Sequence, residues 1–231
     1  MAELHIIAGA NGSGKSSFGS WFAKISNMPF IDTDLYYKNK YGDYREYSQY
    51  ELISTSQELQ GLREQYFKGN QSFAIEKILN NLNSLKKIIG RAKDYGFIVC
   101  LDYIGTDNID INISRIDKRF KNGLHNVDVD LVKENFLSCK KNVKEIACLC
   151  DEVSFYDNSR NKNTKFEKYY KGIVNAELIY AEINHDKDTA FITTEPLPDW
   201  FKEISYHIDS SALDDIKAEM KQNNTDLRRN R

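Results

Sequence analysis

Residues 4–18 read LHIIAGANGSGKSSF. Leu4–Ala8 is a short apolar run of strand length that passes at once into a glycine-rich turn, and helical spacing begins at about Gly14, continuing through Phe18, Trp21, Phe22 and Ile25. Within it Gly9-Ala10-Asn11-Gly12-Ser13-Gly14-Lys15-Ser16 matches G-x-x-x-x-G-K-[ST]. Glycines let successive backbone N–H groups turn inward around a phosphate, and the following helix N-terminus adds positive potential. In such a loop Lys15 reaches the β- and γ-phosphates and the Ser16 hydroxyl ligates Mg²⁺. The expected nucleotide contacts therefore run from Gly9 to Ser17, with ATP and Mg²⁺ as the ligands. A plain glycine turn would leave Lys15 and Ser16 unexplained.

Outward from this segment the chain alternates short apolar runs with helical periods. Strands are expected at Pro29–Thr33, Ser72–Ile75, Phe97–Ile104 and Glu152–Tyr156, and helices at Gln49–Phe67, Ile78–Tyr95, Asn108–Phe120 and Val129–Cys150. That alternation implies βαβ units, hence a three-layer α/β P-loop kinase-like fold with a mostly parallel sheet. Beyond Asn158 the pattern weakens. Lys165–Lys171 and Ala190–Thr194 read as strands, and the segment between them is ambiguous. Residues 1–205 are expected to form the domain, and 206–231 a terminal helix with a disordered basic tail.

Lys plus Arg number 32 against 34 for Asp plus Glu in 231 residues, a balance that argues against a nucleic-acid partner. The arginines at 228, 229 and 231 read as a solvated terminus. Cys100, Cys139, Cys148 and Cys150 form no C-x-x-C pair and read as reduced thiols. With no apolar stretch near the roughly 18 residues that a membrane span requires, and no signal-peptide start, a cytoplasmic protein is expected.

A phosphate loop alone does not choose among GTPases, motors and kinases. No N-K-x-D base-reading motif is present, and the length suits a small-molecule kinase. The ordered set GANGSGKSS, IDTD (31–34), LREQYFKGNQSFAIEK (62–77), RAKDYGFIVCLDYIG (91–105), INISRIDKRFKNGLHNV (111–127) and VSFYDNS (153–159) resembles the compact branch of the zeta-toxin-like kinases. It extends over about two thirds of the chain.

The resemblance implies phosphoryl transfer from ATP to a hydroxyl of a small acceptor, a UDP-amino sugar in the zeta toxins. It puts the acceptor base at Asp34, an acceptor-facing acid at Glu76, and charge-stabilising arginines at Arg115 and Arg119. Asp34 is suited to orient a hydroxyl and take its proton, and the i,i+4 arginines share one helix face. Catalytic residues are thus expected at Lys15, Asp34, Arg115 and Arg119, with Asp34 and Glu76 binding the acceptor. The chain departs from the family at Lys77, where threonine is usual, and at Lys133-Glu134, where arginines are frequent.

Other readings are an ATPase or nucleotide-binding regulator without an acceptor, or the toxin of a toxin–antitoxin pair with a small helical antitoxin. Asp102 ends an apolar run as a Walker-B aspartate does. Asp157 and Asn158 either approach the adenine or begin a turn. Six tyrosines between residues 36 and 50 cover a core or lid, or stack on a sugar or base.

Overall fold

The computed structural model describes residues 1–42, 44–121, 127–159, 176–183, 190–192 and 196–204. In chain order the elements are β1 (Glu3–Ala8), α1 (Lys15–Ser26), β2 (Phe30–Ile31), α2 (Thr33–Tyr41), α3 (Gln49–Lys68), β3 (Phe73–Lys77) and α4 (Leu82–Asp94). They continue with β4 (Ile98–Gly105), α5 (Ile109–Lys121), α6 (Val129–Ala147), β5 (Glu152–Asp157), β6 (Glu177–Ile183), β7 (Ala190–Ile192) and α7 (Asp199–Glu203).

One seven-stranded sheet has the order β2-β3-β1-β4-β5-β6-β7. The first five of these are mutually parallel, and β6 and β7 are added antiparallel at one edge. β1 and β4 read as continuous apolar runs because both faces are covered: Leu4, Ile6, Ile7, Val99, Leu101 and Ile104 are fully buried. On one face Ile7, Ala74 and Ile104 pack against Phe18 of α1. The other carries the larger core, with Leu59 of α3, the Leu85-Ile88-Ile89-Ala92 stripe of α4 and Phe136, Cys139, Val143 and Ile146 of α6. The result is a three-layer α/β sandwich with β1 at the centre of its five parallel strands.

Connections from β1 lead to α1 and onward, while its neighbours β3 and β4 lie on opposite sides. That arrangement opens a crevice at the carboxyl ends of the strands, where ligands bind in open α/β sheets.

Several boundaries differ from expectation. The helix expected from Ile78 begins at Leu82, because Asn81 caps it by accepting from the Ser84 N–H at 3.2 Å. Leu79 in the preceding turn is drawn into the core, its N–H meeting Cys139 Sγ and its carbonyl accepting from Asn142 Nδ2. The strand expected to end at Ile75 runs on to Lys77, which pairs with Ala8. Helix α2 has no clear apolar period in the sequence, because its tyrosines obscure it. Its start and stop signals were nonetheless present as the Asp32 cap and Gly42 at φ 90°. The tyrosines serve mainly to dock α2 on α3: Tyr37 and Tyr47 stack at 4.6 Å, and Tyr37 donates its hydroxyl to the Leu52 carbonyl. The expected strand at 165–171 and the expected tail at 206–231 lie outside the described residues.

Phe73 is fully buried and packs on Tyr66, Phe67 and Phe97 with ring centroids 5.0–6.1 Å apart. Phe73→Ala should cost about 3–5 kcal/mol in urea unfolding. A loss below about 1 kcal/mol would show that this aromatic cluster does not organise the α3–β3 layer.

Candidate active site

β1 ends at Ala8 between Lys77 and Tyr103, so the glycine-rich loop emerges at the centre of the crevice. Space around it is filled by backbone and short polar side chains. A Cβ on Gly12 would lie 2.5 Å from the Asn112 carbonyl oxygen, and Gly12 sits at φ 74°. A side chain there is excluded on both counts.

The loop is held by asparagines. Asn112, fully buried on α5, donates to the Asn11 carbonyl at 2.6 Å and accepts from Thr106. Asn135 of α6 donates to Asn11 Oδ1 at 2.8 Å and accepts from Asn80 at 3.0 Å. Asn158, just past β5, donates to the Ser13 carbonyl at 2.7 Å. Of these only Asn11 and Asn158 drew attention in the sequence. Single asparagines on helices carry no local signal, and the partners are up to 145 residues apart.

Helix α1 starts differently from the other long helices. α2, α3, α4, α5 and α6 each have a side-chain cap, from Asp32, Ser48, Asn81, Asn108 and Asp128 respectively. α1 starts on Gly14 at φ 102°, with no side-chain cap and no acid in its first turn. Its first N–H groups and its dipole are therefore left for an external anion.

Lys15 is buried and donates to the Ala10 carbonyl at 2.8 Å, with Glu76 Oε1 3.6 Å away. Burial raises the Glu76 pKa above the usual carboxylate range, and the charge of Lys15 and the Ser16 side chain oppose that rise. Asp32, not Asp34, caps α2, accepting from the Leu35 N–H at 3.0 Å. Asp34 is thereby free in the exposed first turn, and lines a cavity of about 230 Å³ with Asp32, Thr33, Glu76, Lys77, Asn80 and Ser84.

The two arginines part company. Arg115 is half-buried and donates to the Asn158 carbonyl at 2.7 Å, and burial depresses its pKa. Arg119 is exposed one turn further on, and its charge is felt at Tyr44 together with those of Asp32 and Asp34. Arg115 thus stands by the phosphate loop, and Arg119 towards the acidic side of the cavity.

Buried side-chain polar atoms are nearly always hydrogen-bonded. Among the described residues the exceptions are Ser13 Oγ, Glu76 Oε2, Arg115 Nη1 and Asn158 Oδ1, all around this loop. Donors at Ser13 and Arg115, beside the α1 N-terminus and Lys15, fit a polyphosphate. The carboxylate of Glu76 beside Ser16 fits an accompanying hard cation.

Two residues have structural tasks instead. Asp102 lies within β4, not at its end, and its carboxylate accepts from His5 Nδ1 at 2.8 Å and from the Tyr156 hydroxyl. Its hydrogen bonds thus go to neighbouring strands of the sheet, β1 and β5. Asp157 accepts from Trp200 Nε1 at 3.0 Å and from Ser159, tying β5 to α7 rather than facing a base.

The architecture and loop define a P-loop kinase-like protein. A zeta toxin family profile matches residues 3–168, and the chain belongs to that family. An uncharacterised protein of Haemophilus influenzae is 32% identical over 128 residues, 55% of this chain and 88% of the relative. The AvrRxo1-ORF1:ORF2 complex solved with ATP superposes with a TM-score of 0.63 at 13% identity, covering 89% of this chain and 64% of that one. The chain thus spans less than two thirds of that protein. A structure from the PezAT toxin–antitoxin system of Streptococcus pneumoniae gives 0.56 at 15% identity, covering 96% of this chain and 86% of that one. Both likenesses concern the fold. No helix among the described residues is long and apolar enough to cross a membrane.

Burial alone would lower the His5 pKa, but hydrogen bonds and charge from Asp102 and Glu3 raise it above 6.5. The pairing therefore contributes fully below the unfolded pKa and is lost as pH rises through the folded one. His5→Gln should destabilise the protein more at about pH 5.5 than at about pH 9, measured by urea unfolding. An equal loss at both pH values would contradict the charged pairing.

Proposed function

We propose that the chain is an ATP- and Mg²⁺-dependent kinase that transfers the γ-phosphoryl group to a hydroxyl of a small molecule. The observation that carries this reading is the start of α1: a long helix with no side-chain cap, preceded by a glycine loop and bordered by orphaned polar atoms. In this reading backbone N–H groups of residues 9–17 and the Lys15 ammonium hold the polyphosphate. Ser16 would hold Mg²⁺, which when bound would supply positive charge beside the transferring group. Lys15 would exchange its contacts with Ala10 and Glu76 for phosphate oxygens.

Arg115 offers its unpaired Nη1 to the developing charge, and Arg119 contributes from the exposed turn beyond. The acceptor occupies the cavity, its hydroxyl oriented by Asp34 and Glu76. Asp34 is the acceptor's base: its carboxylate takes the hydroxyl proton as the new P–O bond forms. Because the protein does little covalent work in phosphoryl transfer, positioning and electrostatics supply the rate.

Membership of the zeta toxin family supports a phosphotransferase, and one structural relative was solved with ATP. Another belongs to a toxin–antitoxin system, so a small helical antitoxin is a partner compatible with this reading.

Mass spectrometry of reactions with Mg-ATP and a panel of UDP-sugars, nucleosides and dinucleotides should find one phosphate gained by one acceptor. ADP release with every panel member unmodified would favour a plain ATPase. Asp34→Asn should bind ATP as the wild type does and lose transfer by about 10²–10⁴-fold. Equal transfer by the two proteins would remove Asp34 from the mechanism.

A further inference from the structure

Three asparagines grip the glycine loop, but not alike. Asn112 and Asn158 donate to backbone carbonyls, those of Asn11 and Ser13, and so hold the path of the chain. Asn135 donates at 2.8 Å to the side-chain Oδ1 of Asn11 instead. A grip on the side chain adds little to a backbone already held at that residue. What it fixes is the way the Asn11 carboxamide faces. Asn135 is itself only 4% exposed, on the face of α6 that also buries Val132, Phe136 and Cys139. A carboxamide there is costly unless it is hydrogen-bonded.

A carboxamide offers an oxygen at one end and an NH₂ at the other, so a row of them has a direction. This row runs from Asn80 Nδ2 to Asn135 Oδ1 at 3.0 Å, and from Asn135 Nδ2 to Asn11 Oδ1. Among the described residues no group accepts from Asn11 Nδ2, and none donates to Asn80 Oδ1. Asn11 is half-buried in the loop, while Asn80 lines the cavity with Asp34 and Glu76. The row therefore begins at the acceptor cavity and ends in a spare donor on the phosphate loop. Run the other way, it would turn the Asn11 oxygen towards phosphate oxygens, which repel it. Because Asn11 is tied through Asn135 to the cavity wall, it stands at the end of the polyphosphate nearest the acceptor.

We infer that Asn11 Nδ2 donates to the terminal phosphate of the nucleotide, and that Asn135 is the positioning residue that turns it there, in the direction set by Asn80. The inference deepens the nucleotide reading of the loop and rests on it. A hydrogen bond to an ionised phosphate is about twice as strong as one between neutral groups. Aligned amides also polarise one another, so each bond of the row strengthens the next.

The test measures by calorimetry the affinities for Mg·ADP and for the magnesium complex of the β,γ-imido analogue of ATP. Only the analogue carries a phosphate beyond the β position, so the ratio of the two affinities reads the Asn11 contact. Asn11→Ala and Asn135→Leu should each lower that ratio by about tenfold. Asn80→Asp should lower it as well, from the far end of the row. An ionised carboxylate only accepts, so it takes the Asn135 Nδ2 and draws the Asn11 NH₂ away from the phosphate. Asn80 is exposed, so this variant folds even where Asn135→Leu does not, and ADP binding reports the fold of each. In an Asn11→Ala background neither further substitution should lower the ratio again, which separates the row from the field of a new charge. Equal losses of ADP and analogue affinity in Asn135→Leu would make Asn135 a brace for the loop and overturn the inference. So would an unchanged ratio in Asn80→Asp, or effects at residues 11 and 135 that simply add. A wild type that binds neither ligand overturns the nucleotide reading and this inference with it, whereas the other contrary outcomes overturn this inference alone.

Discussion

The free N-terminus of α1 is the constraint around which the rest of the site is arranged. Four backbone N–H groups at a helix start need partners, and at the other long helices among the described residues an aspartate, serine or asparagine supplies one. Gly14 supplies none, and its φ of 102° admits no ordinary side chain. The loop before it cannot hold itself open by its own side chains. Asn112, Asn135 and Asn158 do so from α5, α6 and the end of β5, gripping the loop at Asn11 and Ser13. Each such bond contributes only about 0.5–1.5 kcal/mol net, but together they fix a conformation that glycine alone would leave loose.

Charge is distributed over the crevice with the same economy. Cations gather on the phosphate side at Lys15 and Arg115, and acids at Asp32, Asp34 and Glu76 beyond them, with Lys77 lining the same cavity as the acids. Glu76 links the two regions, since it faces Lys15 and also lines the cavity. By contrast, the other buried charged group, His5 with Asp102 and Glu3, is complete in itself. Its partners are all satisfied within the sheet, as expected of a structural pair rather than a reactive one.

Much of the fold was legible because β1, β4, α4 and α6 have strong periods and the loop motif lies where a strand meets a helix. Asp34 and Glu76 came from family resemblance, and the structure sets both on one cavity. What escaped was decided by distant partners. Arg115 and Arg119 look equivalent at i,i+4, yet only Arg115 reaches the Asn158 carbonyl. Asp102 has the sequence context of a Walker-B acid, but the strand continues three residues beyond it to Gly105, and His5 on the neighbouring strand claims its carboxylate. The asparagine clamp has no linear signature at all. Lys77 was legible only as a departure from the family pattern, and the structure sets it on the wall of the same cavity.

The most direct test of the nucleotide site is a calorimetric titration of Mg-ATP into wild type and Lys15→Ala, with thermal unfolding of both as a control. Wild type should bind, and Lys15→Ala should weaken binding by about a hundredfold or more, or some 2.7 kcal/mol, while remaining folded. Equal affinity in the two proteins, or a wild type that binds no nucleotide, would contradict the account.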